Sequence, residues 1–337
     1  MKRLISSINI KQAMAVAVAS LVSFMPPCLS SAAQSPSKKI DVHIAWPATN
    51  FHTIGAMSFA ELVKTKTGGA VRLEVHPGGS LGLKGEEVLR AVRQGSVPMA
   101  EVLMGNVEGE NPVFGLTSLP LVANNFEEAH KLYEFSRPLY IKAAAKSGSI
   151  FLYAAPWPPG GLFTKEKVRG INDLKGMKIR TYDANSATFT KALGATGLAV
   201  PFAELFTALS TGMVKGVLTS SVTGVDAKLW EVTSHFLKIN YAYPLNMMAI
   251  RKSEFDGLDA KTQASILEAA RETEAKQWAR VREEDAAALK VLSSKKVEIS
   301  TEVPHEVDVA MKKAAIEMRE GWLKKLDADD RVALQFP

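Results

Sequence analysis

The chain has 337 residues, 47% hydrophobic and 23% charged, which suits one or two folded domains with a sizeable core. Its formal net charge is +6, and Lys2, Arg3 and Lys11 supply three of those charges; the other bases are scattered among acids without interleaved aromatics, which argues against a nucleic-acid partner. One cysteine, Cys28, excludes a disulfide framework, and six histidines without H-x-x-x-H or H-E-x-x-H spacing give no metal constellation.

The first elements describe export. Lys2, Arg3 and Lys11 precede an apolar run over residues 13–25 and the small residues Ser30, Ser31, Ala32 and Ala33. That order reads as a secretory signal peptide over residues 1–33, with a run too short for a membrane span. A periplasmic protein is expected, and cleavage there removes Cys28.

Residues 40–46 alternate and predict a strand, ended by Pro47. A helix follows over 54–66 and stops at Gly68 and Gly69. A strand over 71–76, a glycine-rich turn, a helix near 86–94 and a strand over 99–103 complete a β-α-β-α-β rhythm, hence a parallel sheet with crossover helices. The turn contains Gly78-Gly79-Ser80-Leu81-Gly82, which fits G-x-S-x-G between a strand and a helix. A serine hydrolase using Ser80 is therefore one alternative, although only some 45 mature residues precede it and no HGGG-type stretch is present. Residues 126–146 predict an amphipathic helix and 151–155 a strand. Trp157, Pro158, Pro159, Gly160 and Gly161 then break the pattern, and 162–164 resume a strand.

A second β-α-β-α-β run fills residues 173–221. Gly176 permits a bend before a short strand that puts Met177 and Ile179 on one face, Lys178 and Arg180 on the other. Arg180 thus stands at the carboxyl end of a strand, where open α/β sheets form ligand crevices. Asp183 or Asn185 can cap the next helix. A strand at 198–200, a helix at 203–209 and a strand at 216–221 follow. Residues 225–236 look helical, and 238–250 contain a returning strand. Asp259 caps a helix over 260–293, on the order of 50 Å long. A helix over 303–326 and a tail end the chain.

The clauses DLKGMKIR (173–180), KALGA (191–195) and PFAELFTALSTGMVKG (201–216) resemble those of the solute receptors of tripartite ATP-independent periplasmic (TRAP) transporters. TGGAVRLEVHPGGSLG, EVLRAVRQGSVPMA and LTSLPLV resemble the first domain of the same family. The resemblance implies a two-domain α/β periplasmic-binding-protein fold with a hinge, a central cleft and the long helix bracing both domains. Domain I is expected at 34–157 plus about 245–285, and domain II at 158–244 plus about 286–337.

The resemblance also implies a function without catalysis. The chain would bind an organic acid and deliver it to TRAP membrane subunits by hinge closure, as a monomer and without a cofactor. A receptor of another importer or sensor system is the second alternative. Arg180 matches the family's carboxylate anchor, a role suited to a planar fork that donates two parallel bonds. Phe202 matches an aromatic that packs on the ligand. Two departures narrow the ligand. Gly160 stands where many members carry a second arginine, and Thr219, followed by Ser220 and Ser221, replaces a carboxylate-holding asparagine. One arginine favours a monocarboxylate. Trp46, Phe51, Trp157, Tyr182 and Trp230 sit at expected cleft loops and suggest an apolar or aromatic ligand body, with a 2-oxo or hydroxy acid as the expected type. Asn106 and Asn246 are candidate amide contacts.

Overall fold

A computed structural model describes residues 37–334; the expected signal peptide lies outside them. The first lobe is built on a five-stranded sheet ordered β2-β1-β3-β10-β4. Its strands are β1 (Lys38–His43), β2 (Val71–His76), β3 (Met99–Leu103), β4 (Ser149–Pro156) and β10 (Leu245–Arg251). The second lobe has a six-stranded sheet ordered β11-β9-β5-β8-β6-β7. Its strands are β5 (Gly161–Thr164), β6 (Lys178–Thr181), β7 (Thr196–Ala199), β8 (Gly216–Thr219), β9 (His235–Leu237) and β11 (Glu298–Ser300). The connecting helices are α1 (Phe51–Lys66), α2 (Glu87–Gln94), α3 (Phe126–Lys146), α4 (Ala184–Ala192), α5 (Leu205–Ser210), α6 (Ser221–Asp226), α7 (Lys252–Asp256), α8 (Ala260–Ser294), α9 (His305–Leu323) and α10 (Ala328–Ala333).

The chain crosses between the lobes on two extended segments that run side by side. Trp157 N donates to Pro244 O at 2.9 Å, Gly160 N to Ala242 O at 3.1 Å, and Tyr241 N to Gly160 O at 2.9 Å. Each crossing enters its new sheet from the cleft end. The strand it becomes must therefore run against the β-α-β strands, whose carboxyl ends point at the cleft. That is the observed pairing: β10 is antiparallel to β3 and β4, and β5 is antiparallel to β8 and β9.

The 35-residue helix α8 ties the lobes together. Ile266, Ala269 and Ala270 pack in the first lobe's core, Val281 and Ala288 meet Phe51, Trp157 and Val222 between the lobes, and Leu292 enters the second lobe's core. Asp259 caps it, accepting from Thr262 N at 3.0 Å. It lies hard against α1 at Gly55, where a Cβ would stand 1.8 Å from Gln277 Nε2. Side chains this deeply buried contribute roughly 1.5–3 kcal/mol each when large and apolar.

Two segments depart from the sequence reading. Residues 225–236 are not one helix: α6 stops at Asp226, Lys228 takes a left-handed φ of 50°, and His235–Leu237 is strand β9. Pairing with β5 and the stacking of Phe236 on Phe163, 4.2 Å between ring centroids, override the local helical pattern. The segment after Trp322 was expected with the second domain. It instead packs on the first lobe, where Trp322, Leu326 and Leu334 join the core beneath α3, and Lys142 and Lys146 pair with Asp330 and Asp327. Its tail forms α10, which Asp327 caps by accepting from Asp330 N at 2.8 Å.

Candidate functional site

Strand ends from both sheets converge on one cavity of about 390 Å³, its open mouth included. The first lobe contributes Trp46 beyond β1, Leu103 at the end of β3 and Trp157 beyond β4. The second contributes Arg180 and Tyr182 from β6, Phe202, Thr219 at the end of β8, and Ser220 and Thr223 at α6. Pro158, Gly160 and Pro244 of the crossings form the back. Position at the carboxyl ends of the strands is what an open α/β sheet dictates for a ligand crevice.

Arg180 is the one charged residue in this lining, and it is 4% exposed. Its Nε donates to Val200 O at 2.8 Å, which orients the guanidinium. Among the described residues no carboxylate pairs with it, and its two terminal nitrogens have no hydrogen-bond partner. Burial brings its pKa down to about 10, with Tyr182 and Asp183 opposing that shift. It still carries its charge at neutral pH, in surroundings that favour a counter-ion.

Polar groups of two kinds surround it. The Thr219 hydroxyl has no partner among the described residues, and the Tyr182 phenol oxygen is buried without one. Burial pushes the Tyr182 pKa well up, so it stays a donor. Ser220 caps α6, accepting from Thr223 N at 3.2 Å and donating to Thr223 Oγ1 at 3.1 Å. The remaining walls are apolar. Trp46 meets Trp157 edge-on at 4.8 Å and Phe202 edge-on at 5.5 Å, so one ring of the first lobe touches aromatics on both sides of the cleft.

Seven predicted site residues therefore line the cavity: Arg180, Thr219, Ser220, Phe202, Tyr182, Trp157 and Trp46. Four do not. Phe51 is buried behind Trp157, 5.5 Å between ring centroids. Asn106 sits in a helical turn over Met104–Val107. Trp230 packs in the second lobe beneath Lys295. Asn246 is buried in the first lobe, and its Oδ1 accepts from Trp157 Nε1 at 2.9 Å. Sequence reasoning missed Leu103, Pro158, Thr223 and Pro244 as lining. The prolines sit in the hinge segments, and Thr223 lies one helical turn beyond the hydroxyl cluster already noticed.

Beside the cavity the lobes share a polar seam. Asp183 caps α4, accepting from Ser186 N at 2.7 Å, while its Oδ2 is buried without a partner. Gly105 of the first lobe approaches so closely that a Cβ would lie 2.2 Å from that oxygen. Asn185 Nδ2 donates to Glu108 Oε2 at 2.6 Å. Burial raises the pKa of both Asp183 and Glu108.

Ser80 lies exposed in a turn whose Gly78, Gly79 and Gly82 all have positive φ, pinned by Gly78 N to Trp46 O at 2.7 Å and Gly79 N to Ile44 O at 2.9 Å. Away from the cavity lining, the fold brings Asp41, Glu74 and His76 together on β1 and β2 with ligand-type atoms within 4.8 Å, a cluster that sequence spacing did not reveal. Lys39 Nζ pairs with Glu74 there at 2.5 Å.

Two lobes, a double crossing and a buried guanidinium facing a cleft define a solute-binding receptor. Residues 42–325 match the model of the bacterial extracellular solute-binding protein family 7, the DctP family, and the chain belongs to that family. It is a DctP-type receptor of the TRAP class and not an enzyme. Among solved structures it is similar to DctP7, a Bordetella pertussis extracytoplasmic solute receptor binding pyroglutamic acid, at 30% identity and TM-score 0.86, over 88% of this chain and 98% of that one. It is also similar to a marine metagenome TRAP solute-binding protein specific for pyroglutamate, at 34% identity and TM-score 0.84, over 88% and 97% of the two chains. The 2,3-diketo-L-gulonate-binding periplasmic protein YiaO of Escherichia coli K12 is 28% identical over 260 residues, 76% of this chain and 78% of that one.

Proposed function

We propose that the chain is the periplasmic receptor of a TRAP transporter for a compact cyclic monocarboxylate of the pyroglutamate type, and that it hands this acid to the membrane subunits by hinge closure. The observation that carries the reading is Arg180, the lone charge among the lining residues, buried and without a carboxylate partner among the described residues. A ligand carboxylate completes its two free donor positions. A second ligand carboxylate would meet Leu103, Trp46, Trp157 or Phe202 instead of a cation. Thr219 and Tyr182 supply hydroxyls for the remaining polar atoms of a small ring. The likeness to two pyroglutamate-binding structures at 30% and 34% identity supports the same class.

Closure is supported by contacts that run from lobe to lobe. Asn50 Nδ2 donates to Asp226 Oδ2 at 2.6 Å, Lys84 pairs with Glu204 at 2.9 Å, and Trp46 rests on Phe202. A ligand held by Arg180 on one side and Trp157 on the other favours the state in which these contacts exist. The domains are read as 34–157 with about 245–285, and 158–244 with the strand and helix that follow 286, hinged at the double crossing. Residues 1–33 serve as the export signal, and the exported receptor acts as a monomer.

The test is a thermal-shift screen of the exported form against monocarboxylates and dicarboxylates. A cyclic monocarboxylate at 100 times its Kd adds about 2.7 kcal/mol of stability and raises Tm. A dicarboxylate binding more tightly than pyroglutamate would overturn the ligand class.

A further inference from the structure

Trp157 forms one wall of the cavity, and its ring is boxed in. Trp46 meets it at 4.8 Å, Phe51 at 5.5 Å and His52 at 4.2 Å between centroids. Its N–H leaves the cavity and enters the first lobe's core, donating to Asn246 Oδ1 at 2.9 Å. An indole nitrogen only donates, so the amide oxygen must face it and the amide nitrogen must point away. On that far side lies His52, with Nδ1 at 3.4 Å from Asn246 Nδ2. The same Nδ1 stands 2.9 Å from Glu101 Oε1, so the ring proton is assigned to Nδ1 and donated to that carboxylate; the 3.4 Å approach of the amide nitrogen is then packing and not a hydrogen bond, and His52 meets the indole through its ring, 4.2 Å between centroids.

The sheet register builds this chain of side chains. Asn246 stands opposite Leu103, and Met248 opposite Glu101, so Asn246 and Glu101 are diagonal neighbours on one face of the β3–β10 pair. That face lies under α1, which carries His52. His52, Glu101 and Asn246 are each at most 3% exposed. A polar chain in a dry core is costly, and apolar side chains would fill the same space at less cost. Asn246 and His52 both meet the ring that faces the ligand cavity.

We propose that Asn246 is a positioning residue that fixes the tilt of the Trp157 indole through its hydrogen bond, with the His52 ring, itself bonded to Glu101, packed on the same indole, and that this relay onto the ring sets which acid shapes the cavity accepts. The proposal rests on the reading of the cavity as an acid site. Leu103, the register partner of Asn246, lines the same cavity.

The experiment uses Asn246→Leu, which leaves the indole N–H without an acceptor, and Trp157→Phe, which removes the donor but keeps a ring. In ¹⁵N-labelled wild-type protein the Trp157 indole resonance, identified by its loss in Trp157→Phe, exchanges slowly with solvent deuterium. In Asn246→Leu it shifts and exchanges at least about tenfold faster, as the loss of one buried hydrogen bond implies. Affinity for pyroglutamate falls about tenfold or more while affinity for a bulkier acid, galacturonate, changes less, so the selectivity ratio narrows. In the Trp157→Phe background, adding Asn246→Leu moves that ratio no further.

A folded Asn246→Leu protein with wild-type exchange and an unchanged ratio would overturn the proposal. So would an equal loss in the Trp157→Phe background, because Asn246 would then act without the indole. Should Asn246→Leu fail to fold, Asn246→Ala, which removes the acceptor without adding bulk, takes its place with the same two outcomes. Wild-type protein that binds neither acid would defeat the ligand assignment and the relay's role in selectivity together, whereas binding with unchanged variants defeats the relay alone.

Discussion

Arg180 is costly to the protein that carries it. A buried guanidinium whose pKa is brought down to about 10 reflects a penalty of about 3 kcal/mol on the charged form, at 1.36 kcal/mol per unit. A ligand carboxylate relieves that penalty; an apolar side chain removes it. Arg180→Met is therefore expected to leave the unliganded protein within about 1 kcal/mol of wild type, or more stable, by thermal melting, because the lost Nε bond to Val200 and the lost penalty oppose one another. Thr219→Val keeps the shape and removes an unpartnered hydroxyl. It should weaken acid binding about fivefold to tenfold by calorimetry without changing Tm, since no hydrogen bond of the protein itself is lost. The place of Arg180 at the cavity was legible in the sequence because a motif and a strand end coincide on it. Asn246 was not legible as a core residue. Its strand was, but the face it presents depends on which helix covers the sheet, and no local pattern states that.

At the scale of elements, the seam between the turn over Met104–Val107 and the start of α4 should make stability depend on pH. Asp183 and Glu108 have folded pKa values raised by burial, with Lys325 lowering that of Glu108 and Ser186 that of Asp183. For an acid with a raised folded pKa, the folded state takes up protons first as pH falls. Stability contributed by the seam thus rises as pH drops through the raised values, levels off below the ordinary values of 3.8 and 4.5, and is lost on going alkaline. Asp183→Asn keeps an N-cap, so it should raise Tm at pH 8 and reduce the gain seen on acidifying to pH 5. A gain of equal size in wild type and Asp183→Asn would contradict the burial of Asp183 as a source of the pH dependence. The α1–α8 contact makes a second test. Gly55→Val forces a side chain where Gln277 lies and should cost about 1–3 kcal/mol in denaturant unfolding. Most helices were legible from caps and period, α8 above all. Strand β9 was not, because its pairing with β5 is a tertiary fact that outweighs a helical-looking run.

For the molecule as a whole, two lobes were legible because glycines and prolines interrupt the pattern at the crossing and two β-α-β-α-β runs flank it. The return of the last segment to the first lobe was not. It depends on where Trp322, Leu326 and Leu334 find apolar surface. If ligand binding closes the hinge, small-angle scattering should show a smaller radius of gyration with pyroglutamate than without it. Lys84→Ala should change the affinity by no more than about twofold, since both ends of its pair with Glu204 are more than half exposed and salt screens them. The same scattering measurement on Arg180→Met should show no ligand-dependent compaction, because the variant lacks the proposed anchor.

The most direct test is a calorimetric titration of pyroglutamate into the wild-type protein and into Arg180→Met. The account predicts one-to-one binding by the wild type and a loss of at least about 100-fold in the variant, the cost of removing a buried charge-assisted pair. Binding that survives in a folded Arg180→Met protein would contradict the assignment of Arg180 as the carboxylate anchor.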